Sequence, residues 1–189
     1  MDVLTAIKTR RSIPLVKEDA VPKELIETIL EAGTWAPCHY RTEPWQFFVL
    51  TGIGRKKLGE ALADIATEGV TDQVEAENKR LKAEQKPFRA PVIIAVAAKP
   101  TINEKVIVKE EFAAVSSAVQ NMLLAAHALG LGAIWRTGKP AYHDRMKQLF
   151  SLQGQEEIVG FIYIGYPNVK KELKVKRIRY DQKTVWMEE

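Results

Sequence analysis

Two short segments of the sequence combine guanidinium groups with a hydroxyl group. "RRS" occupies residues 10–12, and "WRTG" occupies residues 135–138. A guanidinium can bind two oxygens of a phosphate or carboxylate at once, and a hydroxyl adds a further donor. Each segment also has an ordinary structural interpretation, since basic residues suit the negative end of a helix dipole and a glycine suits the end of a strand. Both are candidates for an anion-binding site.

A third unusual segment is "GTWAPCHYRTEPWQFFVL" at residues 33–50. Turns are usually made by Gly, Pro, Asn, Asp and Ser, so a simple connection does not need this many bulky side chains. Cys38 has no His and acid pair arranged by sequence to activate it, and a buried or half-buried thiol is the better interpretation. The sequence therefore predicts a loop that does more than connect two elements and that contacts a further group.

The motifs of the best-known nucleotide and metal sites are absent from the sequence. GxGxxG, GxxxxGK[ST], HExxH and paired CxxC do not occur. The three histidines, His39, His127 and His143, lie far apart, and His127 is expected to be a packed helical residue. No pair of carboxylates stands out for acid–base work. We therefore predict no metal site and no catalytic side chain, and expect any difficult chemistry to belong to a bound cofactor.

The composition indicates a folded protein without a strong bias toward one kind of partner. Of 189 residues, 46% are hydrophobic and 28% are charged. The longest apolar run, "VIIAVAA" at 92–98, is far shorter than the roughly 18 residues of a membrane span. We therefore expect a soluble, cytoplasmic protein. The net charge is +4, and the basic segment 170–179 suits nucleic acid, an anionic cofactor or plain solvation.

Hydrophobic periodicity predicts interleaved helices and strands in one domain, 1–189. The segment 110–132 is a long helix of small and apolar residues, which predicts burial on more than one side. A charged segment, 72–91, is predicted to be an exposed helical excursion. Residues 1–167 form the predicted core, and 168–189 form an arm ending in "TVW" that we expect to lie on a partner subunit. The remaining predicted helices are 2–9, 22–33, 54–69 and 140–150, and the strands are 45–50, 91–99, 133–138 and 158–167.

Three motifs in one order, "RRS", "APxHxxxxPWxFFV" and "GxxxIWRTG", resemble the FMN-dependent nitroreductase family, and within it the small, compact members. The resemblance covers nearly the whole chain. It implies an α+β nitroreductase fold, with a central, mostly antiparallel sheet flanked by helices and a C-terminal arm that embraces the partner. It also implies a homodimer with two FMN molecules at the subunit interface, each touched by both chains.

The resemblance further implies which residues bind FMN. Residues 10–12 would hold the phosphate and ribityl chain, 135–137 would lie along the isoalloxazine ring, and the loop after residue 33 would reach the flavin of the partner. The full implied set is Arg10, Arg11, Ser12, Trp35, His39, Trp135, Arg136, Thr137 and Arg177. Two positions depart from the pattern: Pro14 stands where many members have a basic residue near flavin N1, and Trp35 stands where the subgroup can have Arg. Both bear on flavin affinity and redox potential.

The activity implied by the resemblance is that of an NAD(P)H-dependent flavin oxidoreductase. NADH or NADPH would pass a hydride to FMN N5 and leave, and a nitroaromatic or quinone would then be reduced in a ping-pong cycle. Two alternatives stay open. A protein of the same fold could bind or modify flavin without this turnover. A nucleic-acid-binding module could use the basic arm, although the sequence has no helix-turn-helix or RNP-like pattern.

Overall fold

A four-stranded antiparallel sheet forms the centre of the protein in the computed structural model, which describes residues 1–168 and 175–188. The strand order is β1-β2-β4-β3, and every neighbouring pair is antiparallel. The strands are β1 (Trp45–Leu50), β2 (Val92–Ala98), β3 (Gly132–Arg136) and β4 (Glu157–Gly165). This sheet and its flanking helices confirm the predicted α+β class. No helix in the described ranges is long and apolar enough to cross a membrane.

Helices cover both faces of the sheet. One face packs against α2 (Lys23–Thr34) and α5 (Val108–Ala128). The other face packs against α3 (Gly52–Thr67), on which α4 (Gln73–Glu84) lies, and against α6 (Asp144–Leu149). The short α1 (Val3–Thr9) contacts α5, and its start is capped by Asp2, whose carboxylate accepts a hydrogen bond of 3.0 Å from the Thr5 amide. Short 3-10 turns occur at His39–Arg41, Lys86–Arg89, Lys139–Tyr142 and Tyr180–Lys183.

Strand β2 shows why helices must cover both faces of the sheet. All seven of its residues are buried, so its sequence is apolar throughout instead of alternating. Ile93 and Ala95 point toward α3, whereas Ile94 and Val96 point toward α5. The prediction of a strand buried on both faces is confirmed.

Helix α5 is buried on one side only within this chain. Val115, Val119 and Met122 pack fully against the sheet and α2. Ala113, Gln120 and other residues on the outward side stay exposed or half-buried. The sequence predicted burial on more than one side, and the described chain leaves that second side uncovered.

Three other elements differ from the sequence prediction. The charged helix α4 is mostly exposed, as predicted, but it packs on α3, where Arg80 pairs with Asp64 at 3.6 Å. The predicted helix 140–150 divides into a 3-10 turn and α6, because the His143 ring accepts a hydrogen bond of 3.1 Å from the Arg145 amide and starts a new helix. The "TVW" segment lies in no described strand, and Trp186 is 75% exposed. Residues 169–174 and 189 of the arm lie outside the described residues.

Candidate functional site

The segment that carries "RRS" lies along the outer edge of β3. Ser12 pairs with Ala133 in a parallel bridge, and the Ile13 amide donates a hydrogen bond of 3.0 Å to the Ala133 carbonyl. Two paired glycines make room for this close approach: a Cβ at Gly132 would lie 2.9 Å from Ile13 Cγ2, and one at Gly165 would lie 2.8 Å from Val16 Cγ2. The fold therefore brings the two anion-binding candidates of the sequence side by side.

The edge of β3 offers backbone groups next to Ser12. The Ala133 carbonyl points toward Ile13 and thus away from β4. Backbone groups two residues apart in a strand point the same way, so the amide and carbonyl of Trp135 face this same edge. The indole Nε1 of Trp135 is also buried and has no hydrogen-bond partner among the described residues. The backbone amide and carbonyl of Trp135 can serve a ligand that lies along residues 135–137, whereas the indole Nε1 packs against Gly160 of β4.

Three arginines gather at the end of α1, and we call Arg10, Arg11 and Arg177 the arginine cluster. Burial lowers the pKa of Arg10, and the charges of Arg177 and Arg11 lower it further. Arg11 donates hydrogen bonds to the carbonyls of Lys8, at 2.7 Å, and Arg10, at 2.9 Å. Neither Arg10 nor Arg177 forms an ion pair with a carboxylate within 1–168 and 175–188. Like charges held together in this way favour the binding of an anion.

His127 borders the arginine cluster from α5. Its Nε2 lies 2.8 Å from Thr9 Oγ1, and that hydroxyl donates to the Thr5 carbonyl at 2.7 Å. A hydroxyl has one hydrogen to donate, so the contact with His127 is a second hydrogen bond in the tautomer that carries a proton on Nε2. Burial lowers the pKa of His127, as do the charges of Arg10 and Arg11. His127 is thus hydrogen-bonded, as the sequence suggested, but its place beside the arginines was not predicted.

The loop after α2 presents aromatic side chains to solvent. Trp35 is 79% exposed, and His39 is exposed with its ring edge-on to Tyr40 at 4.2 Å between centroids. Tyr40, Arg41 and Glu43 have positive φ values of 53°, 55° and 47°, which are strained for residues other than glycine. A strained loop keeps this shape only where its surroundings hold it.

Glu111 of α5 holds this loop in place. Its carboxylate is 1% exposed and accepts hydrogen bonds from Thr42 Oγ1 at 2.6 Å and from the Thr101 amide at 3.2 Å. Thr42 in turn donates its amide to the His39 carbonyl at 3.3 Å. Nothing in the sequence distinguished Glu111 from the other acidic residues of the chain, because its role depends on a contact across 69 residues.

One chain does not bring the loop and the arginine cluster together. His39 lines a shallow cavity of about 440 Å³ with Ala113 and Ser117, at the N-terminal half of α5. The arginine cluster adjoins His127, in the last turn of the same helix. With a rise of 1.5 Å per residue, Ala113 and His127 are about 20 Å apart along the helix. His39 is therefore separated from Arg10, Ser12 and Arg177 within one chain. Trp35 follows the end of α2, where the Ala32 carbonyl accepts a hydrogen bond of 3.2 Å from Asn121 of α5.

The side chain of Arg136 points to the opposite face of the sheet from Trp135. Its Cζ lies 5.1 Å above the ring of Tyr163, and it lines two cavities together with Arg89. Thr137 is exposed and lines the smaller of these cavities. The backbone of residues 135–137 thus follows the edge beside Ser12, while the Arg136 guanidinium lies elsewhere.

Comparison with known proteins identifies the family of this chain. The model of the "Nitroreductase family" matches residues 7–166. "Putative NAD(P)H nitroreductase YdjA" of Escherichia coli (strain K12) is 37% identical over 175 residues, which are 93% of each chain. Among solved structures, the nitroreductase-like family protein from Bacillus cereus has a TM-score of 0.86 at 28% identity, covering 100% of this chain and 97% of that one. A "putative nitroreductase in complex with fmn" from Desulfovibrio desulfuricans has a TM-score of 0.70 at 28% identity, with the same coverage. The chain described here belongs to the nitroreductase family.

Proposed function

We propose that this protein is an FMN-dependent NAD(P)H oxidoreductase. The observation that carries the proposal is the arginine cluster, which adjoins an open edge of β3 and leaves Arg10 and Arg177 without a described acidic partner. A cofactor with a phosphate at one end and a flat, polar ring at the other matches these two features. Two relatives support the choice, since one is named a "putative NAD(P)H nitroreductase" and another was solved in complex with FMN.

The proposed contacts are given in the order of the chemical groups along FMN, from the phosphate to the ring. Arg10, Arg11 and Arg177 bind the phosphate, and Ser12 donates to the ribityl chain. The backbone of residues 135–137 lies along the isoalloxazine ring, with an amide directed at N5. Bound FMN supplies the redox chemistry, which we propose to be a ping-pong cycle from NADH or NADPH to a nitroaromatic or quinone. No side chain has to act as an acid or base in this scheme.

We also propose that the functional unit is a homodimer with FMN at the interface. The uncovered side of α5 supports this, as do exposed apolar side chains on α1, where Val3 and Leu4 are 65% and 62% exposed. The chain exposes 12555 Å². A compact monomer of this mass would expose about 9,100 Å², and obligate dimers bury about 2,000–5,000 Å².

Two antiparallel copies of α5 would remove the separation found within one chain. Such a pairing sets the N-terminal half of one helix against the C-terminal half of its twin. Trp35 and His39 of the partner would then approach the arginine cluster, and the arm, 168–189, would extend from the core, 1–167, across the interface. We propose both as features of the dimer.

The first test is the absorbance spectrum of the purified protein together with its mass by light scattering. The proposal expects flavin bands and a dimer. Steady-state oxidation of NADH or NADPH with a nitroaromatic acceptor then separates the oxidoreductase from a flavin-binding or flavin-modifying protein of the same fold. A protein that stays colourless after titration with FMN would refute the proposal.

A further inference from the structure

Two adjoining cavities lie on the face of the sheet opposite α5, and we call them the basic cavity. Their volumes are about 550 Å³ and 230 Å³, and Arg89 and Arg136 line both. Aromatic rings contribute to each, Phe88 to the larger and Tyr163 to the smaller. The cationic residues of the lining are Lys17, Arg55, Lys86, Arg89 and Arg136.

Two of these guanidinium groups are held in place by the fold. Arg55 donates from Nη1 to the Ala90 carbonyl at 2.9 Å, and its Cζ lies 5.1 Å above the ring of Phe88. Arg136 stacks in the same way on Tyr163. The Nε atoms of Arg55 and Arg136 are both buried without a hydrogen-bond partner in the part of the chain that the structure describes. Buried donors without partners cost free energy, so both guanidinium groups are held at these positions at some cost in stability.

The charge of the basic cavity is not balanced by acids of the chain. None of its five cations forms an ion pair with a carboxylate in residues 1–168 or 175–188. Glu18 is the single acid among the described lining residues. The hydroxyl of Tyr163 forms no hydrogen bond with described residues, and burial raises its pKa, so it remains a neutral donor. The cavity therefore presents hydrogen-bond donors and positive charge together.

The basic cavity adjoins the proposed flavin site without being part of the arginine cluster. Pro14, two residues after Ser12, lines the larger cavity, and Thr137 lines the smaller one. A reactant that reaches the flavin ring from this side would carry one end past Arg136 and Arg89.

We propose that the basic cavity is a subsite for a phosphate or carboxylate group carried by a reactant of the enzyme. Fixed guanidinium forks and a phenol suit such an oxyanion, and the aromatic rings suit a flat group next to it. The inference rests on the proposed function for the identity of that reactant. Two sources share this chemistry: the 2′-phosphate of NADPH and an acidic electron acceptor.

The test measures binding to the full-length, FMN-saturated protein by calorimetry, so it does not depend on turnover. One pair of probes is NADP⁺ and NAD⁺, which cannot reduce the flavin, and the other is 4-nitrobenzoate and 4-nitrobenzamide. Arg89→Gln is the main variant because its side chain is exposed, and Arg55→Gln is the second. Lys57→Gln, an exposed position on α3 two residues from Arg55 and outside the described lining, is the matched control.

In each pair the preference is the ratio of affinities for the more negatively charged probe over the other. We expect each arginine variant to lower this ratio by about tenfold in one pair and Lys57→Gln to leave it unchanged. A change confined to NADP⁺ over NAD⁺ identifies the donor phosphate, and one confined to the nitrobenzoate pair identifies an acidic acceptor. Unchanged preferences in both pairs would overturn the proposal. Loss of FMN with both preferences intact would place these cations in the cofactor site and would overturn it too. The FMN content of the wild-type protein tests the proposed function separately.

Discussion

Replacing Arg10 by alanine distinguishes a phosphate site from a basic helix end. Each charge-assisted hydrogen bond to a phosphate contributes about 1.5–3 kcal/mol, so Arg10→Ala should weaken FMN binding by roughly 10- to 150-fold. The same change removes one of three charges from a cluster that has no bound anion in the apo protein. Because those charges repel one another, the free energy of unfolding of the apo protein should stay the same or rise.

The alternative interpretation, a basic helix end, predicts the opposite sign for the change in the free energy of unfolding of the apo protein. If Arg10 only interacts with the helix dipole, Arg10→Ala should lower the free energy of unfolding by about 0.3–1 kcal/mol and leave FMN affinity unchanged. Lys8, an exposed residue in the last turn of the same helix, provides the matched control, Lys8→Ala.

The assay is quenching of FMN fluorescence at fixed salt, with urea denaturation of the apo proteins alongside. Ser12→Ala should weaken binding by about fivefold, as expected for a neutral bond of about 1 kcal/mol. Equal FMN affinities for the wild type, Arg10→Ala and Ser12→Ala would refute the assignment of residues 10–12 to the phosphate and ribityl chain of the cofactor.

Three further predictions concern other parts of the site. Glu111→Gln leaves Thr42 or Thr101 without its charged acceptor and should lower the free energy of unfolding by about 1–3 kcal/mol in urea denaturation, whereas the exposed Glu104→Gln should have no measurable effect. His127 has a lowered pKa in the folded state, so the unfolded chain binds a proton first as the pH falls below its usual value of 6.5. Apo stability should therefore fall between about pH 7.5 and about pH 5.5, and fall less in His127→Gln; identical pH profiles would contradict this. Removal of all residues after Pro167 should give a largely monomeric protein with little FMN by light scattering and absorbance, and a truncated protein that stays dimeric and yellow would show that the arm is only a solvated tail.

Local patterns were enough to predict most elements of the sheet layers. The apolar run at 92–98 predicted a doubly buried strand because such a run has no side for solvent. Asp2 followed by an apolar stripe predicted α1, and the capping bond confirms it. By contrast, the stop expected at Gly33 was one residue early: α2 continues to Thr34, and Gly33 is buried, with room for only a hydrogen beside Met122. A glycine needed for packing cannot be told from a helix terminator by sequence.

The parts of the site that escaped prediction all depend on long-range contacts. His127 and Thr9 are 118 residues apart, and Arg55 and Ala90 are 35 apart. Nothing near these residues in the sequence marks them, because His127, Thr9 and Arg55 are ordinary polar residues on helices and the acceptor at Ala90 is a backbone carbonyl. The sequence indicated "RRS" and "WRTG" as candidates by residue type, but only the pairing of Ser12 with Ala133 shows that they share one sheet edge.

Helix α5 is central to the proposed dimer, because the two groups of proposed site residues lie near its opposite ends. Glu111 near its start anchors the loop of Trp35 and His39, and His127 near its end borders the arginine cluster. Along a straight helix Ala113 and His127 are about 20 Å apart, so on our proposal the described residues of one chain would hold two separate halves of the flavin site. An antiparallel pair of such helices joins each half to its complement twice, which produces two equivalent sites. In this arrangement flavin binding and assembly depend on the same contacts, and a change that weakens one should weaken the other.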